Sequence, residues 1–454
     1  MTTAARRQSA PIQATEAPVT QVEVARRWAP LAASWLVMGL EMPVVSAVMA
    51  RLANPEINLA AYGGVVMPLA LLIEAPIMML LTASTALAKD TASYRLMYRF
   101  MMAAGLALTV LHAALAFTPL YDLVVVPLLG PPEVVREPAQ LGLALMLPWT
   151  WAIAYRRYHQ GLLIRFDRSQ HVSIGTVVRL VVLCLTLLVM ALLGASGIAA
   201  GGLAIAMAVT AEAVYSGVVT RPIVRGPLAR AKPVEPPLRF PVFWAFYAPL
   251  ALTSFVSLVV QPLGSAAIAR MPEALESLAA WPVVSGLLFM FRSLGFAFNE
   301  VVVALLDRPR ALAGLRRFTL TLGGAVLTAT LLVAFTPLSR LWFSVVSGLD
   351  PELTRLATLG FAAALLWPCL DVLRNFFQGL IVHSGRTFSI SESMFVFLAV
   401  AAALLFLGTS WRAFPALPYA MISFVIATAA QVAWLFWRSR PAISRLAEGD
   451  RAQA

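Results

Sequence analysis

The chain reads as an all-α polytopic membrane protein with twelve transmembrane helices in two homologous six-helix lobes. Three observations predict this: repeated apolar runs of bilayer-spanning length, a one-sided distribution of basic residues between them, and a motif that recurs in register 218 residues on. Hydrophobic residues make up 60% of the 454 and charged residues 12%, with mean hydropathy +0.82. That is more apolar surface than a soluble domain uses. Apolar runs of about 20 residues are the length of membrane-crossing helices. The short alternating segments of a transmembrane β-barrel are missing.

In chain order the expected spans are 28–50, 59–87, 97–117, 138–160, 172–194, 197–220, 242–270, 278–305, 314–338, 355–382, 389–409 and 416–437. Residues 1–27 are polar and form a tail rather than a cleavable signal, since the first apolar run, from Trp28, is itself long enough to span. The Pro- and Arg-rich stretch RPIVRGPLARAKPVEPPLRFP, residues 221–241, links a first lobe (28–220) to a second (242–438), and 439–454 form a C-terminal tail. Of 34 Lys and Arg, 25 fall in the tails, the linker and the loops on their side. Six lie in the opposite loops (Arg51, Arg136, Arg270, Arg340, Arg355 and Arg412), and three, Arg179, Arg292 and Arg374, lie inside spans. This bias places both termini in the cytoplasm of a cell whose inner or plasma membrane holds the chain. The formal charge of +12 is therefore topogenic and makes no case for nucleic acid. Cys184 and Cys369 fall in apolar spans and read as core thiols, with no disulfide framework or metal site.

The pentapeptide AFTPL occurs at 116–120 and again at 334–338. With a shift of 219, Ala29-Pro30-Leu31 falls on Ala248-Pro249-Leu250, Pro43 on Pro262 and Ala50-Arg51 on Ala269-Arg270. Leu59-Ala60-Ala61-Tyr62 likewise falls on Leu278-Ala279-Ala280-Trp281. With a shift of 218, Arg156 falls on Arg374 and Gln160-Gly161-Leu162 on Gln378-Gly379-Leu380. Matching prolines and arginines, not only leucines, argue for duplication. An even number of spans per half gives parallel repeats, an architecture suited to alternating access. Pro43 and Pro262, with Pro76, Pro148 and Pro368, predict bent helices, and the repeat-matched pair are candidate hinges.

An ionised group at the bilayer centre costs roughly 2.5–3.5 kcal/mol on insertion scales, so each one asks for a reason. Glu41, Glu74 and Arg292 lie mid-span, far from any span end, and are expected to line a cavity. Asn299 follows Arg292 on nearly the same face, while Glu300 is rotated away. Asp371, Arg374, Asn375 and Gln378 stand at i, i+3, i+4 and i+7 and make a polar stripe. Within it Asp371 can pair with Arg374; the pair reads equally as a binding element or a structural pin. The fourth span carries Arg156, Arg157, His159 and Gln160 without an acid. These either line a site or snorkel at a helix end. Glu212 is expected on a peripheral helix. Scattered pairs such as Gly63-Gly64 and Gly201-Gly202 suit close helix packing.

No HExxH, Walker A, GxSxG or Cys/His metal spacing occurs, so no enzyme is expected and ATP cannot drive this chain alone. The chain resembles the multidrug/oligosaccharidyl-lipid/polysaccharide flippase superfamily, whose best-known branch is the MATE transporters: Pro30, Ser34 and Arg51-Leu52 frame the first helix. Cation-coupled members carry an acid deep in that helix, near Val45 here; this chain has Glu41, one turn earlier. The likeness to the progressive ankylosis protein family is closer. It rests on Glu41 with Leu59-Ala60-Ala61-Tyr62-Gly63, Gln261-Pro262-Leu263 running to Ala269-Arg270, Trp367-Pro368 with Arg374 and Gly379, and the stretch His159–Arg165. That resemblance implies export of organic anions, including citrate and phosphorylated species.

The expected function is thus a secondary transporter exporting a small carboxylate or phosphorylated metabolite. Arg292, Arg374, Arg156, Asn299, Asn375, Gln378, Gln261 and His159 would bind it, and Glu41, Glu74, Asp371 and Glu300 would couple or gate. This reading expects an electropositive cavity between the first, second, seventh and eighth helices. Guanidinium groups suit such anions because they bind carboxylate and phosphate bidentately. The alternatives are a proton- or sodium-coupled multidrug antiporter for cationic amphiphiles, a lipid-linked precursor flippase, and a regulatory protein on a transporter fold. No cofactor beyond a coupling H⁺ or Na⁺ is expected. The partners are a small-molecule substrate and the bilayer, with a monomer as the superfamily default.

Overall fold

The computed structural model describes residues 19–306, 308, 311–385 and 388–452, with side chains as far as 446. The first eighteen residues of the expected N-tail and the end of the C-tail lie outside the described residues. In chain order the helices are α1 (Gln21–Met49), α2 (Pro55–Leu87), α3 (Thr91–Phe117), α4 (Glu133–Leu145 continued by Leu147–Arg165), α5 (Gln170–Leu192) and α6 (Gly197–Arg225). They are followed by α7 (Phe240–Ile268), α8 (Ala274–Leu305), α9 (Ala311–Phe335), α10 (Pro351–His383), α11 (Phe388–Trp411) and α12 (Ala416–Ala452). No strand occurs among the described residues.

Eleven of these are long and apolar enough to cross a membrane. The exception is α4, where the sequence places a fourth span. It breaks at Met146, ahead of Pro148, and its second part carries Arg156, Arg157, His159 and Gln160 in one and a half turns.

The prolines bend the helices where backbone chemistry demands. Proline has no N–H for the carbonyl four residues back, and its ring crowds that carbonyl. Accordingly α1 breaks at Leu40, three residues before Pro43, and α7 breaks at Val259, three residues before Pro262. The ladder resumes identically: Val44 N donates to Leu40 O at 3.1 Å and Leu263 N to Val259 O at 3.1 Å. Pro76 sits in a 3₁₀ turn (Ala75–Ile77), and α10 is interrupted just before Trp367-Pro368.

The recurring AFTPL is a helix stop. Thr118 and Thr336 donate their hydroxyls to the carbonyls of Ala114 and Leu332, each at 2.6 Å. The same hydroxyls accept from Leu120 N and Leu338 N, at 3.2 and 3.3 Å, beyond a proline that cannot continue the helix. Each stop leads into a π-helical turn, Tyr121–Val125 and Leu341–Val346.

Burial sorts the helices. The most apolar stretches of α2, α6 and α8 are 61, 67 and 61% buried, against 17% for α7 and α11. The interior helices therefore include α6, which the sequence reading put at the edge. Its Gly201 lies against Met49 of α1 so closely that a Cβ would come within 2.6 Å of the sulfur. The first half meets the second along α2 and α8, where a Cβ on Gly63 would come within 2.5 Å of the Pro282 ring. Cys184 is exposed on α5 and Cys369 is half-buried, both as free thiols, so the expectation of two core thiols fails for Cys184. Its segment is apolar because it faces outward.

The linker is strapped to the start of α3. Asp90 caps that helix, its Oδ1 accepting from Ser93 N at 2.8 Å and Ser93 Oγ at 2.6 Å, while Oδ2 accepts from Val234 N at 2.9 Å. Burial alone raises the carboxyl, but the Ser93 and Val234 hydrogen bonds outweigh it and hold the group below its ordinary value. Asp90→Ala is expected to cost about 1 kcal/mol, the usual worth of a lost N-cap, read as a lower Tm in detergent. A depressed carboxyl stabilises above its unfolded value, about 3.9, and loses that contribution as pH falls through the folded value. The gap between wild type and variant should therefore close at acidic pH.

Candidate functional site

Each half buries a cluster of charges, and the two clusters differ in balance. In the first half Glu212 of α6 is the hub. Its Oε2 accepts from Arg156 Nη1 at 2.7 Å and lies 3.6 Å from Arg179 Nη1 of α5, and its Oε1 accepts from Gln160 Nε2 at 3.0 Å. Arg179 also hydrogen-bonds Glu41 of α1. None of these five residues is more than 9% exposed. Two acids meet two bases, so the group is self-neutralising and sealed. Glu74 lies within electrostatic reach of Arg157, Arg156 and Arg179 and accepts from Trp149 Nε1 at 2.6 Å.

In the second half Asp371 of α10, fully buried, serves two cations. Arg292 of α8 hydrogen-bonds one carboxylate oxygen through Nε, and Arg374 Nη1 lies 3.0 Å from the other. Asn375 donates to the Asp371 backbone carbonyl at 2.7 Å. The Arg292 guanidinium sits over the Trp367 ring at 4.0 Å, and Arg374 lies 5.6 Å from the Phe296 ring. Such contacts hold a cation without neutralising it. One carboxylate against two guanidiniums leaves a formal surplus of one positive charge. Both arginine side chains keep 17–20% of their surface exposed.

That surface opens into a cavity of about 370 Å³. Its walls come from α1, α2, α7, α8 and α10–α12, so it reaches beyond the four helices the sequence named. Trp281, Phe289, Trp367, Phe397 and Phe424 make much of the lining; Gln261, Ser285 and Gln431 add polar points besides Arg292 and Arg374. No carboxylate is among its lining residues, of those described.

The expected site residues thus separate. Arg292, Arg374 and Gln261 face the cavity, with Asp371 directly behind the arginines. Arg156 and His159 do not line it: Arg156 is committed to Glu212, and His159 is packed against Tyr155 at 4.0 Å with Nδ1 on the Tyr155 carbonyl. Neither is snorkelling, because both are buried, at 6 and 3% exposure. Glu41 and Glu74 are held away from the cavity by Arg179 and Trp149. Asn299 and Gln378 are half-buried outside the lining, and Glu300 is exposed. Pro43 packs against α8, 3.1 Å from where a Cβ on Gly286 would stand, and Pro262 is buried. Arg179 is not among the site residues the sequence nominates, although an arginine inside an apolar span is the signal that points to it.

No sequence-family model matches the chain, and no curated protein sequence does. Solved structures do. The fold matches an inward-facing multidrug resistance MATE family transporter of the MOP superfamily with TM-score 0.70 at 12% identity, over 94% of this chain and all of that one. It matches a MOP superfamily transporter from Pyrococcus furiosus, described by a reverse polarity of its binding pocket, with TM-score 0.63 at 12% identity, over 95% of this chain and 99% of that one. The lipid II flippase MurJ, in an inward closed conformation, matches with TM-score 0.59 at 13% identity, over 92% of this chain and 90% of that one. The chain has the fold of these transporters.

Proposed function

We propose that the chain is a secondary transporter of the MOP superfamily that exports an organic anion by alternating access between two six-helix lobes, α1–α6 and α7–α12. In this reading α4 also spans, carried by its neighbours despite its charges, which brings the spans to twelve, and both termini face the cytoplasm. One observation carries the substrate class: Arg292 and Arg374, the only charged groups facing the central cavity among the described residues, share a single carboxylate. Two guanidinium forks with surplus charge suit a carboxylate or phosphoryl group. The aromatic lining suits a substrate whose remainder is apolar. Asp371 then sets the orientation of both arginines and is the group they leave, in part, when an anion arrives. The likeness to the progressive ankylosis protein family points the same way.

The multidrug reading would need an acid facing the cavity for a cationic drug, and Glu41 and Glu74 are both turned elsewhere. Coupling by H⁺ or Na⁺ remains compatible with the sealed cluster around Glu212. A thermal-shift series on the purified protein tests the substrate class. An aromatic carboxylate such as naphthoate should raise Tm, a site filled to 100 Kd being worth about 2.7 kcal/mol, and a quaternary ammonium of the same ring system should not. Stabilisation by the ammonium alone favours the multidrug reading, and by a polyprenyl phosphate alone the flippase reading.

A further inference from the structure

Arg51 ends α1 and Arg270 ends α7, 219 residues apart in the duplicated register. Both lie at the end of the bundle opposite the linker. Each arginine stays on its own helix through one bond, Arg51 Nη1 to Ala47 O at 2.6 Å and Arg270 Nη1 to Ala266 O at 2.7 Å. Each then crosses to the other half. Arg51 Nη2 donates to Val345 O at 2.5 Å and Val346 O at 3.0 Å, on the turn after α9. Arg270 donates from Nη2 to Pro127 O at 2.7 Å and Leu128 O at 3.2 Å, and from Nη1 to Leu129 O at 3.2 Å, on the turn after α3. The acceptors are carbonyls at the C-terminal ends of short helical turns, which lack intrahelical partners and carry partial negative charge.

The seats are matched as well. Gly130 and Gly348, 218 apart, close the two turns with φ +64° and +75°. A Cβ on Gly130 would come within 3.1 Å of the Arg270 guanidinium carbon, and one on Gly348 within 2.8 Å of Arg51 Nη1. Glycine serves both the left-handed backbone and the space for the arginine. Among the described residues no carboxylate pairs with Arg51 or Arg270, so the backbone of the opposite half is what each cation grips.

We infer that Arg51 and Arg270 are reciprocal latches that hold this end of the two halves closed, and that both must release for the cavity to open there. The inference rests on the alternating-access reading but not on the substrate. Two equivalent latches explain why both repeats keep the same Ala-Arg ending and the same late glycine. They also predict additivity, because the two grips share no atoms. A hydrogen bond to a charged group is worth enough that losing one latch should shift the closed-to-open ratio by roughly tenfold, and losing both by roughly a hundredfold.

The test is a distance measurement on the full chain in nanodiscs, without substrate. Leu123 and Leu341, matched and exposed on the two turns, are replaced by spin-labelled cysteines after Cys184→Ala and Cys369→Ala. Wild type should show one short distance population. Arg51→Ala and Arg270→Ala should each add a longer one, and the double variant should be dominated by it. Arg51→Lys with Arg270→Lys, which keeps the charge but loses the fork, should fall between and carries the test if the alanine pair does not fold. An unchanged distribution in folded double variants overturns the latches. Transport of a cation in place of an anion would overturn the substrate reading and leave the latches standing.

Discussion

Glu212→Ala destabilises the protein by about 3–5 kcal/mol, the usual effect of removing one partner from a buried ion pair. The mechanism is specific. Glu212 is fully buried and takes hydrogen bonds from both Arg156 and Gln160, with Arg179 at 3.6 Å. Without it Arg156 loses its one direct ion-pair partner and is left a buried cation served only from a distance by Glu41 and Glu74, whereas Arg179 keeps its hydrogen bond to Glu41. Replacing the pair together, Arg156→Met with Glu212→Leu, should recover most of the loss, because a buried pair and an apolar pair of similar volume are often close in stability. Thermal unfolding in detergent reads both. An unchanged Tm in Glu212→Ala would mean that water reaches the cluster and that it is not sealed.

The second large effect is on transport. Arg292→Gln with Arg374→Gln removes both guanidinium forks, and hydrogen bonds to charged groups contribute about 1.5–3 kcal/mol each. Loss of two such contacts weakens anion handling by roughly a hundredfold or more. Asp371 would then be a buried carboxylate without a cation, so the informative variant adds Asp371→Asn and keeps the site neutral. That triple variant should fold and should not move anions.

Much of this was legible in the sequence. The duplication, the repeat-matched proline bends and the in-span charges all follow from local pattern and the cost of breaking the helical ladder. Asp371 with Arg374 was readable because i+3 neighbours share a helix face. Their third member was not: Arg292 stands 79 residues earlier, and helical period says nothing about which helix faces which. Glu41 with Arg179, 138 residues apart, is the same case. Glu212 was misjudged because its helix looks peripheral by order, while Gly201 lets it approach α1 closely enough to become interior. The expected fourth span, α4, is not among the eleven helices apolar enough to cross; its Arg156 and Gln160 are met by Glu212 of α6, a partner no sliding window sees.

The central claim is that the surplus charge at Arg292 and Arg374 selects an anion for transport. Uptake of a radiolabelled aromatic carboxylate into proteoliposomes preloaded with the unlabelled compound measures it directly. Counterflow should be seen with the wild-type chain and be absent with Asp371→Asn, Arg292→Gln and Arg374→Gln combined. Equal counterflow in the two, or counterflow of a quaternary ammonium and not of the carboxylate in wild type, would contradict it.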